Sequence, residues 1–475
     1  MKTLKRSKFL SFVIVGLLFM LTALNAQNEA KEPNILLFVG DDMTWNDCSP
    51  YGNEDVHTPN IEKLADQGTS FDNMFTGTAM CAPTRQQLYS GMYPVRSGAY
   101  PNHSIMYDGA KSFATYFSEM GYRNALIGKK HYGPESSFPP TYFGGVHHDN
   151  GKGQDIDLSK VEGFIVDNHE KPYFMVIAQN QPHMPWTRGN REQYDAEKLT
   201  VPEYLIDCDF TRAEMVKYYA EITYMDSLLG VCMDYVDRSG EADNTIVIFT
   251  SEQGSQFPFA KWTCYDIGLK TSFIMRWPEK IEAGKRVDKL LHYVDVLPTL
   301  IELAGIDPRN IHTGIPDVCG NTGFDGQSFA SVFEGGDHPR EYVYGAQTTK
   351  GINHGPEAYA IRSIRNKKYK LIWNLHHETG FTNLVTEKEN NNILDIWLRE
   401  ASDAADSARV KMYTNRPEFE LYDIRKDPYE LNNLAGGEEY EDVKKLMFNE
   451  LKKWMARQGD LGHETEMRAL ERQDK

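Results

Sequence analysis

Pro33-Asn34-Ile35-Leu36-Leu37-Phe38-Val39-Gly40-Asp41-Asp42 is an unbroken apolar run that stops on two acids. A strand with one wet face alternates apolar and polar residues, whereas a run without alternation predicts a strand covered on both faces, as in parallel sheets. Similar runs at 121–128, 172–178 and 244–250 predict further strands of the same kind, with helical stretches between them. The fold class expected is α/β, a large mixed, mostly parallel sheet sandwiched by helices. Strands at 341–347, 358–363 and 369–373 and a helix over 440–457 predict a smaller C-terminal domain of antiparallel sheet plus helix.

The ends of the buried runs hold the chemistry. Asp41 and Asp42 repel each other unless a cation or a turn intervenes, and the carboxyl edge of such strands is where open α/β sheets bind ligands. A solvated loop is the plainer reading of two acids alone. Lys129 and His131 follow the run at 121–128 and, on an extended segment, would point the same way. His183 lies between Pro182 and Pro185 after the run at 172–178, on stiff backbone that can aim the ring. Glu252 and Gln253 follow the run at 244–250 and would complete an all-oxygen site with Asp41 and Asp42, suited to a hard cation.

The stretch Met80-Cys81-Ala82-Pro83-Thr84-Arg85 enters a predicted helix that puts the Cys81 sulfur and the Arg85 guanidinium about one turn apart. A thiol at a helix N-terminus sits in positive potential, and Arg85 could hold an oxyanion by two parallel hydrogen bonds. A buried cysteine beside a surface arginine is the bland alternative.

Elsewhere the pattern is structural. Residues 58–65 read as a helix capped by Thr58 and stopped near Gly68. Apolar residues from Met215 to Val236 recur at three and four, an amphipathic helix over 211–238 of about seven turns and no assigned chemistry. Residues 294–305 read as the helix closing the large domain, 320–336 as a glycine-rich link, and 464–475 as a frayed solvated tail.

Residues 1–26 carry Lys2, Lys5, Arg6 and Lys8 ahead of an apolar run over 9–24, the layout of a cleaved secretory signal, with an uncleaved anchor as the alternative. The domains expected are therefore this signal, a catalytic domain over 27–335 and the smaller domain over 336–475. Location is then secreted or periplasmic, with no stable membrane insertion after cleavage. The full chain has a net charge of -17. Loss of the four leader cations makes it more acidic still, which argues against nucleic-acid partners. Six cysteines are too few for a disulfide scaffold in 475 residues, although an exported chain could form one or two bridges.

Taken together, the order Asp41-Asp42, then Thr58-Pro59-Asn60-Ile61 with Leu64-Ala65, then Cys81-x-Pro83-x-Arg85 resembles the opening of the sulfatases, enzymes with an alkaline phosphatase-like fold. Ile127-Gly128-Lys129-Lys130-His131 with Gly133-Pro134-Glu135, the Pro182-His183 pair, Asp295-x-Leu297-Pro298-Thr299-Leu300, and Glu420-Leu421-Tyr422-Asp423 extend the resemblance to nearly the whole chain, closest in motifs to the heparan N-sulfatases. The resemblance implies that Cys81 is converted to formylglycine (3-oxoalanine) by a formylglycine-generating enzyme acting on the nascent chain. Its hydrate would be the nucleophile, with Arg85 in support. One divalent cation, Ca2+ with Mg2+ as the alternative, would be held by Asp41, Asp42, the residue at 81, Glu252 and Gln253. Lys129, His131 and Lys261 would bind the sulfate and support the nucleophile, and His183, with Lys261 as a rival, would protonate the leaving group.

Two departures stand out. Glu252 replaces the usual aspartate, one methylene longer, and Gln181 stands where an aspartate is common. The implied function is glycosaminoglycan degradation by hydrolysis of N-sulfoglucosamine units in heparan-type saccharides. The alternatives are an O-sulfatase on another sulfated glycan, a phosphoester or phosphonate hydrolase, and an inactive glycan-binding relative. Loops at 138–152 and 354–359, with His376 and His377, are expected to choose the sugar.

Overall fold

The structure, a computed structural model, describes residues 31–145, 155–167, 170–278, 280–350, 352, 355–383, 393–401 and 403–473. The expected leader at 1–26, residues 146–152 and His354 lie outside the described residues. No helix among the described residues is long and apolar enough to cross a membrane.

Eight strands form the main sheet, in the order Lys285–Val287, Thr69–Phe71, Phe273–Arg276, Thr245–Ser251, Asn34–Gly40, Tyr173–Ala178, Arg123–Gly128 and Thr141–Tyr142. Asn34–Gly40 lies between Tyr173–Ala178 and Thr245–Ser251 and is parallel to both, while Phe273–Arg276 runs antiparallel to its neighbours. Ile35, Leu37 and Val39 enter one apolar core with Leu88, Tyr89 and Phe113, and Leu36 and Phe38 enter another with Ile222, Met225 and Leu229. Both faces are dry, which is why the run showed no polar alternation.

Register sets the site. Gly40 pairs with Ser251, and Val39 and Gly128 both align with Ala178. Asp41, Lys129, Gln179 and Glu252 therefore leave the sheet at one edge. Gly128 has φ +96°, and a Cβ there would stand 2.0 Å from the Ala178 carbonyl oxygen. Only glycine lets the chain turn Lys129 into the site so close to the neighbouring strand.

The long helix is Asp209–Arg238, and Asp226 on its buried side accepts the N–H groups of Asn60 at 3.1 Å and Ile61 at 2.7 Å. Asp226 thus caps the helix Pro59–Asp66, not Thr58 as expected; Thr58 Oγ1 instead accepts the Ser49 N–H at 2.9 Å.

The glycine-rich stretch 320–336 is anchored to the main body: Phe329 is fully buried, Gln327 N–H donates to Asp295 and Phe329 N–H donates to Thr299, both on the helix Tyr293–Leu303. One further expectation is corrected. The charged end is docked. Glu466 is buried and accepts the N–H groups of Thr349 and Lys350, and Arg472 donates to the carbonyls of Gly98 and Ile105. All six cysteines are free, so the bridges allowed by export do not form.

The smaller antiparallel sheet comprises Val343–Gln347, Ile361–Arg365, Tyr369–Asn374 and Phe419–Asp423, backed by the helix Glu441–Gln458. Buried charge fastens it to the main body. Asp266 accepts from Arg365 at 2.9 Å and Lys370 at 2.7 Å, and Lys370 also lies 3.0 Å from Glu430.

Replacing Asp226 by alanine strands two backbone donors in the core. Stability should fall by about 2–3 kcal/mol, read as a lower urea midpoint at unchanged slope; an unchanged midpoint would disprove the capping role.

Candidate active site

Cys81 opens the helix Cys81–Ser90 behind extended Met80, and every residue of that helix is buried. Arg85 donates from Nε to Glu252 Oε1 at 3.1 Å and from Nη2 to Glu252 Oε2 at 2.8 Å; Nη2 also lies 3.7 Å from Asp41 Oδ1. The two parallel hydrogen bonds expected for an incoming oxyanion therefore go to Glu252. A guanidinium with no exposure needs a fixed counter-charge, and the extra methylene of Glu252 delivers one.

The remaining candidates meet at the same sheet edge. Lys129 Nζ donates to Asp41 Oδ2 and Lys261 Nζ to Asp42 Oδ2, each at 2.6 Å. Gln253 Nε2 donates to Asp42 Oδ1 and lies 3.5 Å from Cys81 Sγ; that sulfur is 3.8 Å from Asp42 Oδ1. His183 Nε2 is 3.4 Å from Asp42 Oδ2, and its Nδ1 is 2.6 Å from the Met184 carbonyl oxygen. A carbonyl only accepts, so Nδ1 carries a proton and Nε2 is the nitrogen that takes up or gives a second one. Gln181 acts through its backbone, its carbonyl accepting the Asp41 N–H at 3.0 Å.

His131 departs from expectation. It has φ +38°, outside the extended region on which parallel aim with Lys129 depends, and its Nε2 lies 3.0 Å from Nδ1 of His103. His103 was not singled out from sequence, because one histidine in a loop carries no spacing signal. His376 pairs with His463 at 2.7 Å and accepts the Ala360 N–H, contacts separate from the carboxylate cluster.

Charge in this closed space is strongly coupled. Burial alone would raise the Asp41 carboxyl, but Lys129, with Glu252, His183 and Arg85 behind it, holds it well below the usual carboxylate range. Burial pushes Glu252 up, Arg85 opposes this, and the charge of Asp41 adds to it. The Cys81 thiol is also pushed well up, by burial and then by Glu252, against Lys129 and Lys261. The helix end is outweighed, and this cysteine is not an activated thiolate.

The donor set fits a hard cation. Asp41, Asp42, Cys81 and Glu252 offer ligand atoms within 4.8 Å of one another, as do Asp42, Cys81 and His183. Asp41 Oδ1 and Gln253 Oε1 are buried oxygens without a hydrogen-bond partner, a costly state that a cation would relieve. Carboxylate and amide oxygens suit Ca2+ or Mg2+; a thiol does not, whereas an oxygen at position 81 would.

The sequence matches the sulfatase family model over residues 33–306 and the model for the C-terminal part of N-sulphoglucosamine sulphohydrolase over 254–403. It is 32% identical to an ulvan-active sulfatase of Formosa agariphila, covering 91% of this chain and 82% of that one. It is 25% identical to human N-sulphoglucosamine sulphohydrolase, covering 90% of each. A structure solved with its substrate D-glucosamine-2-N,6-O-disulfate superposes with a TM-score of 0.65 at 20% identity, over 91% of this chain and 99% of that one. Family model, relatives and fold agree with the motif order from Asp41 to Asp423: the chain belongs to the sulfatase family, hydrolases of sulfate esters and sulfamates.

Proposed function

We propose that this chain is an exported sulfatase acting on sulfated glycans, with Cys81 as the precursor of formylglycine and one divalent cation held by Asp41, Asp42, Glu252 and Gln253. The observation that carries the reading is the pair of buried oxygens that accept no hydrogen bond, Asp41 Oδ1 and Gln253 Oε1, in a cluster that also contains the Cys81 sulfur. Cys81 has no solvent exposure, which supports conversion on the nascent chain by a formylglycine-generating enzyme, before folding.

When bound, the cation would supply Lewis-acid polarisation and the hydrated aldehyde a nucleophilic oxygen. The chain's own groups do the rest. Lys129 and Lys261, each hydrogen-bonded to one carboxylate oxygen and so fixed at the same sheet edge, would set their positive charge against the sulfuryl oxygens. Arg85, clamped by Glu252, serves as a fixed positive charge behind the helix N-terminus. His183 gives the Nε2 proton to the departing oxygen or nitrogen while the Met184 carbonyl holds its other nitrogen in place.

Two substrates each rest on a specific observation. The match to the N-sulphoglucosamine sulphohydrolase model and the human relative support an N-sulfoglucosamine unit of heparan-type chains. The higher identity to an ulvan-active sulfatase supports an O-sulfate on another glycan. Free sulfate release from N-sulfoglucosamine and from ulvan oligosaccharides, measured side by side, decides between them. A higher kcat/KM on phosphate than on sulfate esters would overturn both.

Cys81→Ala should abolish sulfate release, and mass spectrometry of the peptide around residue 81 from the native host should show the aldehyde. An intact thiol there with undiminished activity overturns the nucleophile assignment. Chelation should lower the melting temperature, and Ca2+ at about one hundred times its dissociation constant should restore about 2.7 kcal/mol; no thermal response to either overturns the cation site. Arg85→Met and Glu252→Met should each cost about 3–5 kcal/mol, and the double variant clearly less than their sum. Additive losses in chemical unfolding would show that the two side chains do not depend on each other.

A further inference from the structure

We propose that His103 is a positioning residue for the reaction: it fixes the orientation and tautomer of the His131 ring, and the end of the chain holds His103 in place. The proposal rests on the sulfatase reading, in which the resemblance gives His131 a part in binding the sulfate and supporting the nucleophile.

The hydrogen-bond directions follow from one end. The Asn102 side-chain amide donates from Nδ2 to His103 Nε2 at 3.1 Å. A neutral imidazole has one donor and one acceptor nitrogen, so the proton of His103 is on Nδ1. That N–H donates to His131 Nε2 at 3.0 Å, with ring centroids 4.8 Å apart. His131 then accepts at Nε2 and carries its own proton on Nδ1. A histidine whose outer nitrogen is engaged in this way presents a defined donor from the other, as in ligand and catalytic histidines generally.

The backbone is built for this contact. His103 has φ +56° and His131 φ +38°, both in the left-handed region that side chains disfavour, and such strain persists only where the surroundings over-determine it. On one side Arg472 donates to the Gly98 carbonyl at 3.1 Å and the Ile105 carbonyl at 2.8 Å, and its own carbonyl accepts the Ile105 N–H. Gln473 donates to the Asn102 carbonyl at 3.0 Å, and Ser104 and Gln473 form a β-bridge. On the other side Gln86, in the helix begun by Cys81, donates to the Ser104 carbonyl at 2.8 Å and accepts the Gly133 N–H at 3.3 Å. Met106 N–H closes the loop onto the Gly133 carbonyl at 2.9 Å. One glutamine of the nucleophile helix thus ties down both histidine loops, and two residues at the far end of the chain press the first loop onto it.

The test uses the full chain, with an aryl sulfate ester as chromogenic probe. His103→Ala should lower kcat at least about tenfold, with KM within about threefold and an unchanged melting temperature. His103→Asn, whose Nδ2–H can take the place of the ring Nδ1–H, should recover to within about threefold of wild type, whereas His103→Asp, a pure acceptor, should not. The double variant Arg472→Ala/Gln473→Ala should lower kcat in the same direction. Ring nitrogen NMR of the histidine-labelled enzyme should show His131 protonated at Nδ1 in wild type and lose that signature in His103→Ala. Wild-type kcat in His103→Ala, equal losses in the alanine, asparagine and aspartate variants, or an Nε2-protonated His131 in wild type would each overturn the proposal. A wild-type enzyme inert towards every sulfate tested would defeat the sulfatase reading instead, and the NMR signature, which needs no turnover, would still decide the role of His103.

Discussion

Three carboxylates and three basic side chains share a buried space, and the rest of the molecule answers to that fact. Asp41, Asp42 and Glu252 stand against Arg85, Lys129 and Lys261, all nearly or wholly without exposure. A single unpaired charge in such a place costs several kcal/mol, so each strand end must deliver its group in register with the others. The parallel alignment of the four central strands does this, and the glycine at 128 gives Lys129 room to turn. Precision at the sheet edge is therefore a condition of stability as well as of chemistry.

The same balance recurs where the smaller sheet meets the main body. Asp266 and Glu430 face Arg365 and Lys370 across that boundary. Burial pushes the Glu430 carboxyl up to about 8, with Lys370 pulling it down and Asp266 pushing it up again. An interface of this kind tolerates little sliding, because any displacement leaves a charge without its partner. The smaller sheet is thereby fixed against the main body by buried charge on both sides of the boundary.

What could be read from the sequence was whatever is written locally. The dry strand at 34–40 declared itself by lacking alternation, the helix over Asp209–Arg238 by its period, and the site by acids, bases and a cysteine that follow strand ends in order. What escaped was carried by distant partners. Thr58 looked like a cap because it precedes a helix, but the true cap, Asp226, comes from a helix 166 residues away. Arg85 looked available to a ligand because Glu252 is 167 residues away. Residues 464–475 looked solvated because they are charged; Glu466 and Arg472 are satisfied by backbone groups that no local pattern announces. Nor could the sequence say why Gly326 is a glycine: the Val294 carbonyl leaves no room there for a side chain.

The docked chain end also sets an order of events. Its contacts with the loop around His103 span 367 to 374 residues, separations that cross most of the described chain. Contacts of such length bear the greatest loop-closure entropy and form late. During synthesis the loop beside the Cys81 helix cannot adopt its final state until the last of these residues has left the ribosome. In the finished protein these hydrogen bonds couple the loop to the chain end, so the geometry beside the site is set in part by a segment to which no chemistry is assigned.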